Sequence, residues 1–190
     1  MSAATLLLVS YFVFVANKKP ATQIVHETNK KIALGNPPPK DLNRGLPVRL
    51  QIPKIKVDAT IVYLGLTTAG DMAVPPNAED VGWYKYGPLP GNKGSAVIDG
   101  HVVGSRGQSA VFIDLKKLQK GDSLLVIDDQ GRTASFVVRE TRPYGQNQYP
   151  GEVFNASDGA HLNLITCSGD WDTTQHRYLE RLVVFADKSN

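Results

Sequence analysis

From Pro47 onward the chain alternates short runs of β-branched and aliphatic residues with turn-forming ones. VRLQI, ATIVYLGL, SAVID, SLLVID, ASFVVRE, LNLIT and LVVFA are separated by Pro53, Gly65, Gly70, by GNKG, KGD and DDQGR, and by longer polar loops. Short apolar runs with such punctuation predict an all-β fold, mainly antiparallel, closed as a barrel or stacked as a sandwich. DDQG between SLLVI and RTASFVV reads as a hairpin turn, with Gly131 supplying the positive φ. One stretch has helical spacing. In SAVFIDLKKLQKGD, Val111, Leu115 and Leu118 fall at i, i+4 and i+7, and Gly121 can end the helix. A further short helix before the barrel's long loop is compatible with the pattern, and no internal repeat is visible.

The pattern differs ahead of Pro47. MSAATLLLVSYFVFVA carries no charged side chain, and Lys18 and Lys19 follow it. The run is shorter than the roughly 20 apolar residues of a full membrane span. It lacks the basic n-region and the small-residue cleavage site of a signal peptide. Residues 1–17 are expected to be a hydrophobic membrane anchor, a cleaved signal being the alternative. The two lysines alone argue for the C-terminal domain on the inner side. Residues 18–45 are polar, with prolines at 37, 38 and 39, and cannot bury enough apolar surface to fold alone. They read as a tether, and His26 within them as solvated. Residues 46–190 are then the folded domain.

Composition narrows the partners. The 190 residues suffice for one domain with a sizeable core. Lys and Arg number 21 against 18 Asp and Glu, and no dense basic block stands out, which disfavours nucleic-acid binding. One cysteine and scattered histidines give no zinc-ligand spacing, and there is no EF-hand loop, phosphate-binding glycine loop or GxSxG elbow. Neither metal nor cofactor is expected. What remains is covalent chemistry at Cys167.

A thiol becomes a nucleophile when a neighbouring cation favours its thiolate. His161 lies six residues earlier on the same apparent strand, roughly 20 Å away and out of reach. His101 opens a glycine-rich loop after SAVID, and His176 follows a loop beyond the cysteine; spacing leaves both open. Arg181 begins RLVVFA and faces the cysteine if those two runs pair, where it could hold a carbonyl or an oxyanion. Arg177 shares its face in a continuous strand.

The residues around these positions resemble the sortases, cell-surface cysteine transpeptidases of mainly Gram-positive bacteria. LITC, ending at Cys167, is similar to the family's TLxTC signature. SAVIDGH matches the catalytic-histidine motif at His101, 66 residues upstream, and RLVVFA the arginine-led final strand. The resemblance spans about residues 46–187. PVRLQIPKIKVDATIVYLGL and MAVPPNAEDVGWYKYGPLPGNKGSAVIDGH look most like class F, with class E or D the alternative. It implies an eight-stranded sortase-type barrel with one or two short helices behind an N-terminal membrane helix. It also implies a single-pass cell-membrane protein with its catalytic domain outside.

The implied chemistry assigns each residue a part. Cys167 attacks an LPxTG-like sorting signal between Thr and Gly and forms a thioester. His101 protonates the leaving amine and later deprotonates the acceptor, an amine of peptidoglycan or pilin. Arg181 stabilises the oxyanion, and Ile165 and Thr166 bind substrate. Asn163 departs from the signature, standing where the family has Thr. It would share a face with Cys167 at about 13 Å, and so bears on groove shape more than on chemistry. The competing reading is a sortase-like barrel that binds peptides or cell-wall fragments without turnover.

Overall fold

The computed structural model describes residues 45–189 other than 146, 147 and 149. The anchor expected over residues 1–17 and, Gly45 apart, the tether over 18–45 lie outside the described residues. Among the described residues no helix is long and apolar enough to cross a membrane.

The apolar runs do form strands: β1 (Pro47–Ile52), β2 (Val57–Leu64), β3 (Val81–Tyr84), β4 (Gly94–Gly100), β5 (Ser123–Asp128), β6 (Thr133–Gly145), β7 (Ala160–Asp172) and β8 (Arg177–Lys188). They close a barrel in the order β1-β2-β3-β4-β7-β8-β6-β5. The barrel is mixed rather than uniformly antiparallel, because β2–β3 and β4–β7 are parallel pairs. A parallel pair needs a long crossover, and the chain supplies one each time. Asp128 to Arg132 makes the hairpin expected at DDQG, with Gly131 at φ 75°.

The interior is filled by one face of each strand. Leu50, Ile52, Trp83, Ile98, Leu124, Phe136, Leu162, Leu164 and Val184 are among its buried members. Truncating one of its large side chains, such as Trp83 or Phe136, to alanine should cost about 3–5 kcal/mol. A second apolar cluster, Val97, Val153, Val183 and Phe185, lies on the opposite face of β4, β7 and β8. Partly buried Ile165, Met72, Tyr84, Tyr144 and Phe154 pack against it. These strands are therefore apolar on both faces, as expected where something covers the outside.

The cover includes a five-residue helix, α1 (Gly151–Asn155), whose Val153 is fully buried. The helix expected over Ser109–Asp122 does not form. Only Leu115–Lys117 makes a 3-10 turn. Phe112, Leu115 and Leu118 instead plug the barrel, while Val111 N–H donates to Ala78 O (2.8 Å) and Phe112 N–H to His101 O (2.9 Å). Backbone donors committed to distant loops are lost to an intrahelical ladder.

Candidate active site

Strand alternation sorts the residues of β7. Leu162 and Leu164 belong to the barrel interior and Ile165 to the outer cluster. Cys167 therefore continues the outer row of Asn163 and Ile165, and Thr166 the inner row. The same rule on β8 puts Val184 and Ala186 inside, and Arg181, Val183 and Phe185 outside. Cys167 and Arg181 are direct Cα partners, so thiol and guanidinium leave adjacent strands on the same side.

His101 joins them through β4. The parallel pairing of β4 with β7 runs one for one from Gly94↔Ala160 to Asp99↔Ile165. β4 ends at Gly100, beside Thr166, so His101 leaves the strand at the end of β4 nearest Cys167. A side-chain bond fixes this junction: Thr166 Oγ1 donates to Gly100 O at 2.6 Å, both ends buried. Gly100 has to be glycine, because a Cβ there would lie 2.5 Å from Cδ2 of Phe112 in the plug. The plug also pins the histidine backbone through Phe112 N–H.

The His101 ring is held from a third direction. Its Nε2 lies 2.8 Å from the carbonyl of buried Pro75, in the β2–β3 crossover. A carbonyl oxygen only accepts, so Nε2 carries a proton and donates it to Pro75 O.

Cys167 is partly buried, and burial pushes its thiol up. The Arg181 guanidinium pulls it back down, and the Asp99 carboxylate raises it. Asp99 is itself pushed up to about 6 by burial, against the pull of His101, Arg181 and the Gly100 N–H. Asp99 and Cys167 are thus both within reach of the Arg181 charge, and Asp99 also of the His101 charge. Beyond Cys167 the ladder shifts register between Ser168 and Trp171, where Gly169 adopts φ 74°. Such a bulge bends the strand immediately after the thiol.

The remaining candidates sort clearly. Ile165 lies on the patch. The Thr166 side chain does not: it is 2% exposed, points inward and uses its hydroxyl on Gly100, as a tie between β7 and β4. His176 is exposed in the β7–β8 turn, with φ 50°. His161 is bound by Asp187 (2.7 Å) and Asp158 (2.9 Å). Arg177 is the partner of Asp172, roughly 13 Å along β8 from Arg181.

Asn163, 1% exposed, donates from Nδ2 to Val153 O at 2.6 Å and so fastens α1 over the outer cluster. Arg142 adds a second fastening, reaching Glu152 of α1 (2.6 Å) and Glu140 (2.8 Å) while stacking over Phe185. Sequence reading overlooked Asp99 and the Pro75 carbonyl. The first was detectable, since IDGH puts an acid two places before the histidine, on the same face of a strand. The second depends on a crossover whose path no local pattern specifies.

The family profile of the sortase domain matches residues 50–189. This chain belongs to the sortase family. Solved sortases share its fold at low identity. Sortase C from Clostridium perfringens SM101 is 20% identical, with a TM-score of 0.56 over 76% of this chain and 70% of that one. Sortase C-1 from Actinomyces oris is 22% identical, with a TM-score of 0.58 over 75% and 73%. Sortase A from Corynebacterium diphtheriae is 22% identical, with a TM-score of 0.58 over 77% and 62%. No curated protein matches the chain. Sortases are cysteine transpeptidases, and the cysteine of this one, single in its sequence, stands opposite an arginine.

Proposed function

We propose that this sortase cleaves an LPxTG-like sorting signal between Thr and Gly and passes the acyl group to an amine of the cell wall or of a pilin. The observation that supports this reading is Cys167 facing Arg181 across β7 and β8, with His101 following β4, the strand paired with β7 on its other side.

The chemistry divides among them as follows. The Cys167 sulfur, as thiolate, adds to the Thr carbonyl, and the charge on oxygen is met by Arg181. His101 releases its Nδ1 proton to the departing Gly amine, while Nε2–H stays on Pro75. The thioester is then opened by the acceptor amine, whose proton returns to Nδ1, and the thiolate is restored. Burial raises the thiol and Arg181 opposes that rise, so the arginine also favours the thiolate that attacks. Ile165 contributes to the floor under the peptide.

We further propose membrane anchoring through residues 1–17, with the barrel on the outer side. A class F assignment rests on the likeness of PVRLQIPKIKVDATIVYLGL and of the segment leading to IDGH.

The test is to incubate the protein with a library of LPxTG-like peptides and follow the mass of the intact chain. A thioester adduct on Cys167, abolished by Cys167→Ala and His101→Ala in folded protein, is expected. Arg181→Ala should slow turnover about 10²–10³-fold, and Arg177→Ala should be mild. Binding of the same peptides without adduct or cleavage would favour a non-catalytic peptide-binding barrel.

A further inference from the structure

Asp99 sits on the outer row of β4, two places before His101, yet its immediate flanks are apolar. Its Cα partner on β7 is Ile165, a member of the outer cluster. Its partner on β3 is Gly82, which offers no side chain, and Leu64 fills the space above it: a Cβ on Gly82 would come within 1.9 Å of Leu64 Cδ1. A carboxylate set among hydrocarbon is retained where compensating charge is near. The titratable groups near Asp99 are His101 just beyond its own strand, Cys167 on β7 and Arg181 on β8, and β3 carries Tyr84 on the same outer face.

We propose that Asp99 is a positioning residue of this site, its carboxylate acting through space, without a direct bond, on the His101 imidazole and the Arg181 guanidinium near Cys167. It acts through those two groups and needs no contact with the peptide. Its charge has two opposed consequences. It favours the protonated imidazole that must deliver a proton, and it disfavours the thiolate that must attack. Arg181 lies between these demands, drawn by both anions. The carboxyl titrates near 6, so this restraint engages around neutral pH and relaxes in acid. What the restraint is for rests on the transpeptidase reading, whereas the electrostatic coupling does not.

The experiment compares wild type with Asp99→Asn, which keeps size and shape. The rate of Cys167 alkylation by iodoacetamide is followed against pH, and the His101 ring by NMR. Both midpoints should fall in the variant, by roughly 0.5–1 pH unit each, and the pH profile of peptide cleavage should move to lower pH with them. A residue that merely supports the fold would lower rates at every pH without moving either midpoint, and that result overturns the proposal. Should Asp99→Asn fail to fold, carboxyl NMR of the wild-type protein decides. A midpoint for Asp99 near 6, with the His101 ring responding over the same range, supports it, and an ordinary carboxylate midpoint with a silent ring overturns it. If both midpoints move in the variant while no sorting-signal peptide is cleaved at any pH, Asp99 stands and the transpeptidase reading falls.

Discussion

Replacing Thr166 by valine tests whether the site depends on the β4–β7 junction or only on the groups that protrude from it. Valine matches threonine in shape but removes the hydroxyl that donates to Gly100 O. Thr166 is 2% exposed, so water does not take the hydroxyl's place. A buried acceptor left without its donor costs about 1–3 kcal/mol. Serine is the natural control, since it keeps the hydroxyl and loses one buried methyl, worth about 1 kcal/mol. The two variants should therefore lose comparable stability in urea titrations but differ in catalysis. Thr166→Val frees Gly100, the residue before His101, from β7, and kcat/KM for peptide cleavage should fall at least about tenfold, since small misplacements of reacting groups are expensive. Thr166→Ser should stay within about threefold of wild type. Both are assayed at a temperature where each is fully folded. Equal activities for the two variants, or a valine variant as stable as wild type, would refute the role given to this bond.

Other expectations follow from the same geometry. Asp99 binds its proton more tightly in the folded chain, with its carboxyl raised to about 6. The stability it contributes is whole below about pH 4 and is lost as pH rises through 6. Asp99→Asn should therefore be more stable than wild type at pH 7.5, by about 1–3 kcal/mol allowing for partial exposure, and equal to it at pH 4. Urea titrations at the two pH values check this, and a pH-independent difference would contradict it. Asn163→Asp would set a buried carboxylate against the Val153 carbonyl. Its melting temperature should drop steeply between pH 5 and 8 relative to wild type, and parallel curves would refute the contact. Gly82→Ala forces a Cβ onto Leu64 and should cost about 1–3 kcal/mol. Gly82→Ala with Leu64→Ala should be less destabilised than the sum of the two, as a double-mutant cycle would measure.

The strands were legible because apolar runs bounded by glycine, proline and aspartate have few alternatives to extended structure. The parallel neighbours were not, since turn chemistry links strands adjacent in sequence while β4–β7 is set by how the whole ring closes. Spacing misled at Ser109–Asp122. Val111, Leu115 and Leu118 do have helical periodicity, but their segment is a plug whose burial, not whose ladder, fixes it. The motif around the thiol pointed to the right strands, and alternation within LITC was the part left unanchored. Without knowing which face looks inward, Thr166 reads as groove lining rather than as the tie it is. The charged centre was only half visible: SAVIDGH displayed Asp99 plainly, but its closeness to Arg181 required β8 to be laid against β7.

Arg181 arrives on β8, the last strand, only after the cysteine strand has been made. Until β8 is in place, the sulfur is an ordinary thiol with no guanidinium opposite. Contacts spanning 66 positions, as between Gly100 and Thr166, form late because the intervening chain must first be looped shut. The facing of sulfur and guanidinium is therefore a product of the closed ring alone, and exists only once β8 has been laid against β7.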